Sequence, residues 1–146
     1  MIRTVVAVSA IVLGLGAALA QQDPIAARRA LMKSNGDQAK IGVAMMKGEA
    51  AFDLEKVHKI FAAWADAAEK MPSLFPETSK TGGDTAADPK IWANMDDFKG
   101  RFAKFATDVK EASAKVTDLD SFKAAFGSIG KNDCGGCHEQ YRVKKS

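Results

Sequence analysis

Apolar residues recur along this chain at spacings of three and four, the period of a helix buried on one face, and no segment alternates with the period of two that marks a strand. The pattern divides the chain into four stretches. Asp23-Pro24 opens the first: an Asp side chain accepts a bond from a free helix N–H, and a proline at the first position lacks an N–H that would be orphaned anyway. This helix is predicted to run to about Lys47, with Gly48 as its stop. Its apolar positions are Ile25, Met32, Ala39, Val43 and Met46, near a heptad spacing, interrupted by Gly36 and Gly42. A glycine inside a helix costs roughly 1 kcal/mol, so something is expected to approach the backbone closely there. The second helix is capped by Asp53, carries Leu54, Val57, Phe61, Trp64, Ala68 and Met71 as its stripe, and ends at Pro72.

Residues 72–89 hold Pro72, Pro76, Gly82, Gly83 and Pro89 among small polar residues. This is a long crossing loop, and loops of that length are uncommon in a compact domain unless they are functional or form a crossover. The third helix is predicted to start near Pro89 and carries the clearest pattern: Ile91, Met95, Phe98, Phe102, Phe105, Val109, Ala112 and Val116. Asp118 or Asp120 caps the fourth, whose inner face is Leu119, Phe122, Phe126 and Ile129 and whose pattern resumes at Cys137 and Tyr141. Four amphipathic helices in one domain argue for an all-α fold, an antiparallel four-helix bundle.

The first 20 residues lie outside that pattern. Arg3 is followed by an apolar stretch from Val5 to Leu19, and Ala18-Leu19-Ala20 is a small-x-small cleavage site, so residues 1–20 read as a signal peptide and 21–146 as the mature domain beginning at Gln21. The competing reading, a permanent anchor, is disfavoured because spanning a bilayer takes ~20 apolar residues. Export to a bacterial periplasm is the expectation, with no membrane insertion after cleavage. The 146 residues are 47% apolar and 27% charged, which permits a packed core. A net charge of +3, from 21 Lys+Arg against 18 Asp+Glu, gives no concentrated basic face and no case for nucleic acid. Two cysteines exclude a disulfide-dense scaffold.

Both cysteines lie in Cys134-Gly135-Gly136-Cys137-His138. This is the C-x-x-C-H attachment signature of haem c. Two thiols three residues apart on a helical turn can both add across the haem vinyl groups, the following histidine can bind iron, and the two glycines leave the macrocycle edge unobstructed. Three other readings stand beside it. A C-x-x-C dithiol redox pair usually follows a strand, and none is expected before Cys134. A zinc site needs four ligands, so His58 would have to arrive from the second helix. A disulfide closing so short a loop would add little stability.

A bundle with this motif inside its last helix resembles the class II c-type cytochromes, the cytochrome c′ family. The resemblance covers the whole mature chain. It includes Cys134 to Arg142, with the C-x-x-C-H-x-x-aromatic-basic ending, Arg28-Arg29-Ala30-Leu31-Met32-Lys33 on the first helix, and Leu74-Phe75-Pro76 with Pro89-Lys90-Ile91-Trp92 around the loop. It implies one covalently attached haem c, with His138 as axial ligand. In this family one first-helix residue lies over the iron opposite the histidine: Leu or Phe in high-spin members, Met in low-spin ones. The alignment puts Met32 there. The competing reading is a core methionine. Met45, Met46, Met71 and Met95 are rivals better explained by packing. The resemblance also makes Arg28 a partner of a haem propionate, against a solvated residue beside Arg29. Arg142, one turn after His138, lies beside the proximal imidazole or completes the helix dipole with Lys144 and Lys145.

Of the remaining candidates, His58 is expected to face solvent. Phe98, Phe102, Phe105, Phe122 and Phe126 are expected to wall the haem and the core, and Trp64 and Trp92 to be packing residues. The resulting expectation is a non-enzymatic periplasmic electron carrier, monomer or homodimer, that meets redox partner proteins. The alternative is a high-spin protein with an open distal site that binds nitric oxide or carbon monoxide. A third is a haem-free thiol protein.

Overall fold

A computed structural model describes residues 23–144; the expected signal peptide, the Gln21 start and Lys145 lie outside them. Helix α1 spans Pro24–Lys47. The Asp23 carboxylate accepts from the Ile25 N–H at 2.9 Å, and Gly48 closes the helix in the left-handed region at φ 74°, where a side chain would be strained. Helix α2, Leu54–Lys70, is capped by Asp53, which accepts from the Lys56 N–H at 3.0 Å. It tightens into a 3₁₀ turn, Met71–Leu74, at Pro72. After the crossing loop come α3 (Lys90–Ala93), α4 (Met95–Lys115) and α5 (Leu119–Ser128). Asp118 caps α5 through a reciprocal pair of bonds with Ser121. The chain then passes through a π-helical turn, Ile129–Gly135, into α6, Gly136–Tyr141. Helix α2 packs between α1 and α4, while the run from α5 to α6 closes the bundle against α1 and α4. The expected all-α four-helix architecture is the one observed.

The core follows the sequence stripe closely on α2 and α4. Val57, Phe61, Trp64, Ala68 and Met71 are buried, as are Ile91, Phe98, Phe102, Phe105, Val109, Ala112 and Val116, and Phe122, Phe126, Ile129 and Tyr141 complete it. Leu54 departs from the pattern by standing exposed at the start of α2.

Three expectations need correction. The inner face of α1 follows the heptad row only in part: Ile25 is buried and Ala39 and Met46 pack against the core, but Met32 and Val43 are exposed, and Arg28, Gly42 and Met45 are buried instead. Hydrophobicity is a poor guide here because the face carries a charged residue and a glycine, and because part of it borders a cleft instead of the core. Helix three is not continuous from Pro89. It breaks at Asn94, whose backbone leaves the helical region (φ −134°, ψ 44°) while its amide donates to the Lys90 carbonyl at 3.0 Å. Trp92 draws the α3 turn onto the loop by donating to the carbonyls of Phe75 (3.1 Å) and Pro76 (3.3 Å). The last helix is also interrupted, by the π-helical turn ahead of Cys137. There the Gly136 N–H reaches back five residues to the Lys131 carbonyl. A Cβ on Gly135 would stand 3.3 Å from the Gly130 oxygen, so this wide turn favours a glycine at that position.

The interruption at Gly42 has a direct cause. A Cβ there would collide with the Phe126 ring of α5, so the glycine lets two helices touch. Gly36 has open space beside it, and its role belongs to the site.

The crossing loop is held at three places by one side chain. Arg28, only 5% exposed, donates from Nη1 to the Leu74 carbonyl (3.2 Å) and Ser79 Oγ (2.9 Å). Its Nη2 donates to the Ser79 carbonyl (3.0 Å) and Thr85 Oγ1 (2.6 Å). The guanidinium carbon lies 4.6 Å from the centre of the Phe75 ring. Beside it Arg29 pairs with Asp84 at 2.7 Å. The far end of the loop is tied to the chain's C-terminal segment: the Asp88 N–H donates to the Tyr141 carbonyl and the Val143 N–H to the Ala86 carbonyl, each at 2.9 Å.

Two stability outcomes are expected. Gly42→Ala should lower the denaturant midpoint, with overpacking of about 1–3 kcal/mol outweighing the helix-propensity gain of up to about 1 kcal/mol. Arg28→Lys keeps the charge but loses the fork of donors. It should cost about 1–3 kcal/mol and speed hydrogen exchange at the Asp88 and Val143 amides.

Candidate haem site

A cleft opens between α1, the α4 aromatic row, the crossing loop and the C-terminal turn. It has two lobes, of about 240 Å³ and 550 Å³, which share Met32, Gly36, Phe102, Cys137 and His138. These volumes fall in or near the range of small-molecule sites. On α1 the residues Met32, Asn35, Gly36 and Ala39 face the smaller lobe, in agreement with the three–four spacing of one helical face. Arg28 and Arg29 continue that row into the wider lobe, where Thr85, Ala86 and Ala87 of the loop form the opposite side. Thus the arginine clamp holds one wall of the cleft in place.

The motif residues meet there. Cys134 and Cys137 are half-buried free thiols. Burial pushes the Cys134 thiol up to about 11, with Asp133 adding to the shift, and raises that of Cys137 also. Both sulfurs are therefore held protonated near neutral pH. A dithiol redox pair depends on a lowered thiol pKa, so this environment is the reverse of what that chemistry wants. Burial lowers the His138 pKa, and the Arg142 charge lowers it further, which keeps the imidazole neutral and ready to ligate. Arg142 lines the wider lobe and is fixed by an isolated bridge to Ala87. Helix α6 is fastened to α4 by Tyr141, which donates to Asp97 at 2.6 Å. Arg101 donates to the same carboxylate at 2.8 Å and to Gln140 at 2.5 Å.

The other sequence candidates separate clearly. Phe102 and Phe105 line the smaller lobe and Phe98 the wider one; Phe122 and Phe126 belong to the core. Met45 is buried in the core, and Met46 and Met95 pack against it. Met71 is fully buried in the core and only borders the wider lobe. His58 stands exposed on α2 beside Ser113, 3.1 Å from its hydroxyl, and does not line the cleft. Arg28 is buried against the loop and is not a solvated surface residue.

Several cleft residues escaped the sequence reading, Trp64, Asn35 and Asp133 among them. Trp64 is both a core residue and a cleft wall, and its indole N–H donates to the Asn35 carbonyl at 3.2 Å. Asn35 and Asp133 line the smaller lobe, and each has a buried side-chain oxygen without a hydrogen-bond partner. A polar residue between periodic apolar ones gives no hint of such a position; only the helix face in three dimensions does.

The cleft suits a haem on its own terms. It is walled by aromatic rings, it brings two thiols and a neutral imidazole together, and open space beside Gly36 lets a flat ring approach the α1 backbone. Among the described residues Arg28 forms no ion pair, and it lines the wider lobe with its charge buried.

Comparison with known proteins agrees. A family model described as Cytochrome C′ matches residues 23–142. The chain belongs to the cytochrome c′ family. It is 48% identical over 136 residues to a cytochrome c′ of Rhodopseudomonas palustris, covering 93% of this chain and 92% of the relative. It is 38% identical to a cytochrome c-556 of the same organism, with 99% of each chain covered. The solved structure of cytochrome c′ from Rhodopseudomonas palustris superposes with a TM-score of 0.83 at 47% identity, covering 86% of this chain and 100% of that one. Membership of this family makes the chain a monohaem cytochrome with one covalently attached haem c.

Gly36 lines both lobes with open space beside it, so a side chain there would enter the cleft. Gly36→Leu should lower the yield of haem-loaded protein several-fold while far-ultraviolet circular dichroism of the loaded fraction keeps its helical signal. Normal loading would remove the steric argument.

Proposed function

We propose that this cytochrome is a periplasmic carrier of single electrons, with thioether bonds from Cys134 and Cys137, His138 as one axial ligand and Met32 as the other. The observation that carries the reading is the position of Met32. It lines both lobes of the cleft together with His138, from a different helix, and at 37% exposure it is not a core methionine. A Met/His pair raises the reduction potential and closes the iron to other ligands, which suits electron transfer and leaves no place for substrate chemistry. Arg28 and Arg142, both lining the wider lobe, place positive charge at the propionate edge and beside the proximal imidazole. Among the described residues no helix is long and apolar enough to cross a membrane.

A second reading, a cytochrome with an open distal site that binds nitric oxide or carbon monoxide, is favoured by one observation: the identity to the cytochrome c′ named above, 48%, exceeds the 38% to the cytochrome c-556. Met32 discriminates between the two. If it ligates, absorption spectra should be low-spin in both oxidation states at neutral pH, and carbon monoxide should bind the ferrous protein slowly. Met32→Leu should then open the site, speed carbon monoxide binding and lower the reduction potential. The fold should lose less than ~1.5 kcal/mol, because the two side chains are close in volume. A wild-type spectrum already high-spin, and unchanged by the substitution, would assign the protein to the gas-binding reading.

A further inference from the structure

Asp133 immediately precedes the first motif cysteine, and its side chain is only 4% exposed. One carboxylate oxygen, Oδ1, faces the Lys104 ammonium at 3.4 Å. The other, Oδ2, is buried and has no hydrogen-bond partner. The residue lines the smaller lobe of the haem cleft. So does Asn35, which carries another unpartnered buried oxygen; this lobe holds two acceptors to which no protein group donates. A buried acceptor left unsatisfied costs about 1–3 kcal/mol, and more when charged. A proton on Asp133 removes the charge and supplies a donor to the lobe.

We propose that Asp133 is a proton-binding site coupled to the oxidation state of the haem iron. When the iron is reduced, the electron comes from the redox partner and ferric iron becomes ferrous. One proton then passes from solvent to the Asp133 carboxylate, forming a single O–H bond. Oxidation returns the proton to solvent and the electron to the acceptor, and nothing else is consumed. The physical cause is electrostatic. A carboxylate at the edge of an apolar cleft is stabilised by the extra positive charge of ferric iron and loses that stabilisation on reduction, so its affinity for a proton rises. The proposal holds for either distal ligand state and draws only on the presence of haem in this cleft.

The charges around the group support the sign. Burial raises the Asp133 pKa, the neighbouring Asp108 carboxylate raises it further, and Lys104 opposes both. Lys104 pairs with Asp108 as well as with Asp133, and its side chain is 61% exposed, so the Oδ1 side of the carboxylate is the side that lies toward bulk water. Arg101 on α4 and His138 on α6 border the same lobe. The side of the turn toward α5 presents the neutral Asn132–Ser128 bond. Cys134, uncharged as a thioether, contributes no titration once haem is attached.

The test is the midpoint potential of the purified haem-loaded protein as a function of pH. The wild type should show a window in which the potential falls as pH rises. Asp133→Asn should flatten that window, and Lys104→Gln should move it to higher pH. Redox-difference infrared spectra of wild type grown with isotope-labelled aspartate should show a protonated carboxyl band on reduction that shifts with the label. This second measurement decides the matter if Asp133→Asn fails to load haem. A window that survives Asp133→Asn, or a wild-type band indifferent to the label, assigns the proton to a haem propionate and overturns the proposal.

Discussion

Among the described residues a single cation, Arg28, is buried, and the crossing loop that walls the cleft depends on it. The Arg28 guanidinium leaves water and recovers hydrogen bonds to four acceptors spread over the crossing loop, with an aromatic face against it. Four donors aimed at three separate points impose one loop conformation, because a flexible segment of that length otherwise samples many. The loop in turn walls the wider lobe and reaches the C-terminal segment through the Asp88 and Val143 bonds. A cleft that must accept a rigid flat cofactor needs walls already in place, and this arrangement supplies one of them before any haem is considered.

The motif-bearing wall solves a different problem. An unbroken α-helix would carry the motif past the cleft at a fixed angle. The π-helical turn at Ile129–Gly135 widens the coil just before Cys137 and His138, and wide turns of this sort are often found at functional sites. Asp133, whose Oδ2 has no hydrogen-bond partner, lies within it. The Asp97–Tyr141–Arg101 bonds hold the short helix that follows against α4. Local irregularity is thus supported by ordinary packing on either side.

Chemistry then follows from two kinds of environment in one cleft. The apolar surroundings keep the thiols protonated and the imidazole neutral, which favours attachment and ligation over redox exchange. The charged groups stay at the margins, with Arg28 and Arg142 beside the wider lobe and Lys104 with Asp133 beside the smaller one. A haem bound in this cleft would bring an iron whose charge changes by one unit into the same water-poor surroundings, where the fields of these groups weigh more.

Much of this was legible in the chain. The three–four spacing alone marked the buried rows of α2 and α4, because those rows face only other helices and hydrophobicity reports burial faithfully there. The caps at Asp23 and Asp53 and the stop at Gly48 were equally readable, since capping is local chemistry. Cys134, Cys137 and His138 stood out because their meaning lies in their spacing. On α1 the reading held only in part: Arg28 and Gly42 are buried while Val43 is exposed, because that helix meets a loop, a ring and a cleft at different points along its length. The break at Asn94 and the wide turn before Cys137 were also invisible, as each is stabilised by contacts with segments distant in sequence or by bonds that propensity does not encode. Only the tertiary structure decided which polar residues turn inward, and so which of them, Asn35 and Asp133, share a cleft with the motif.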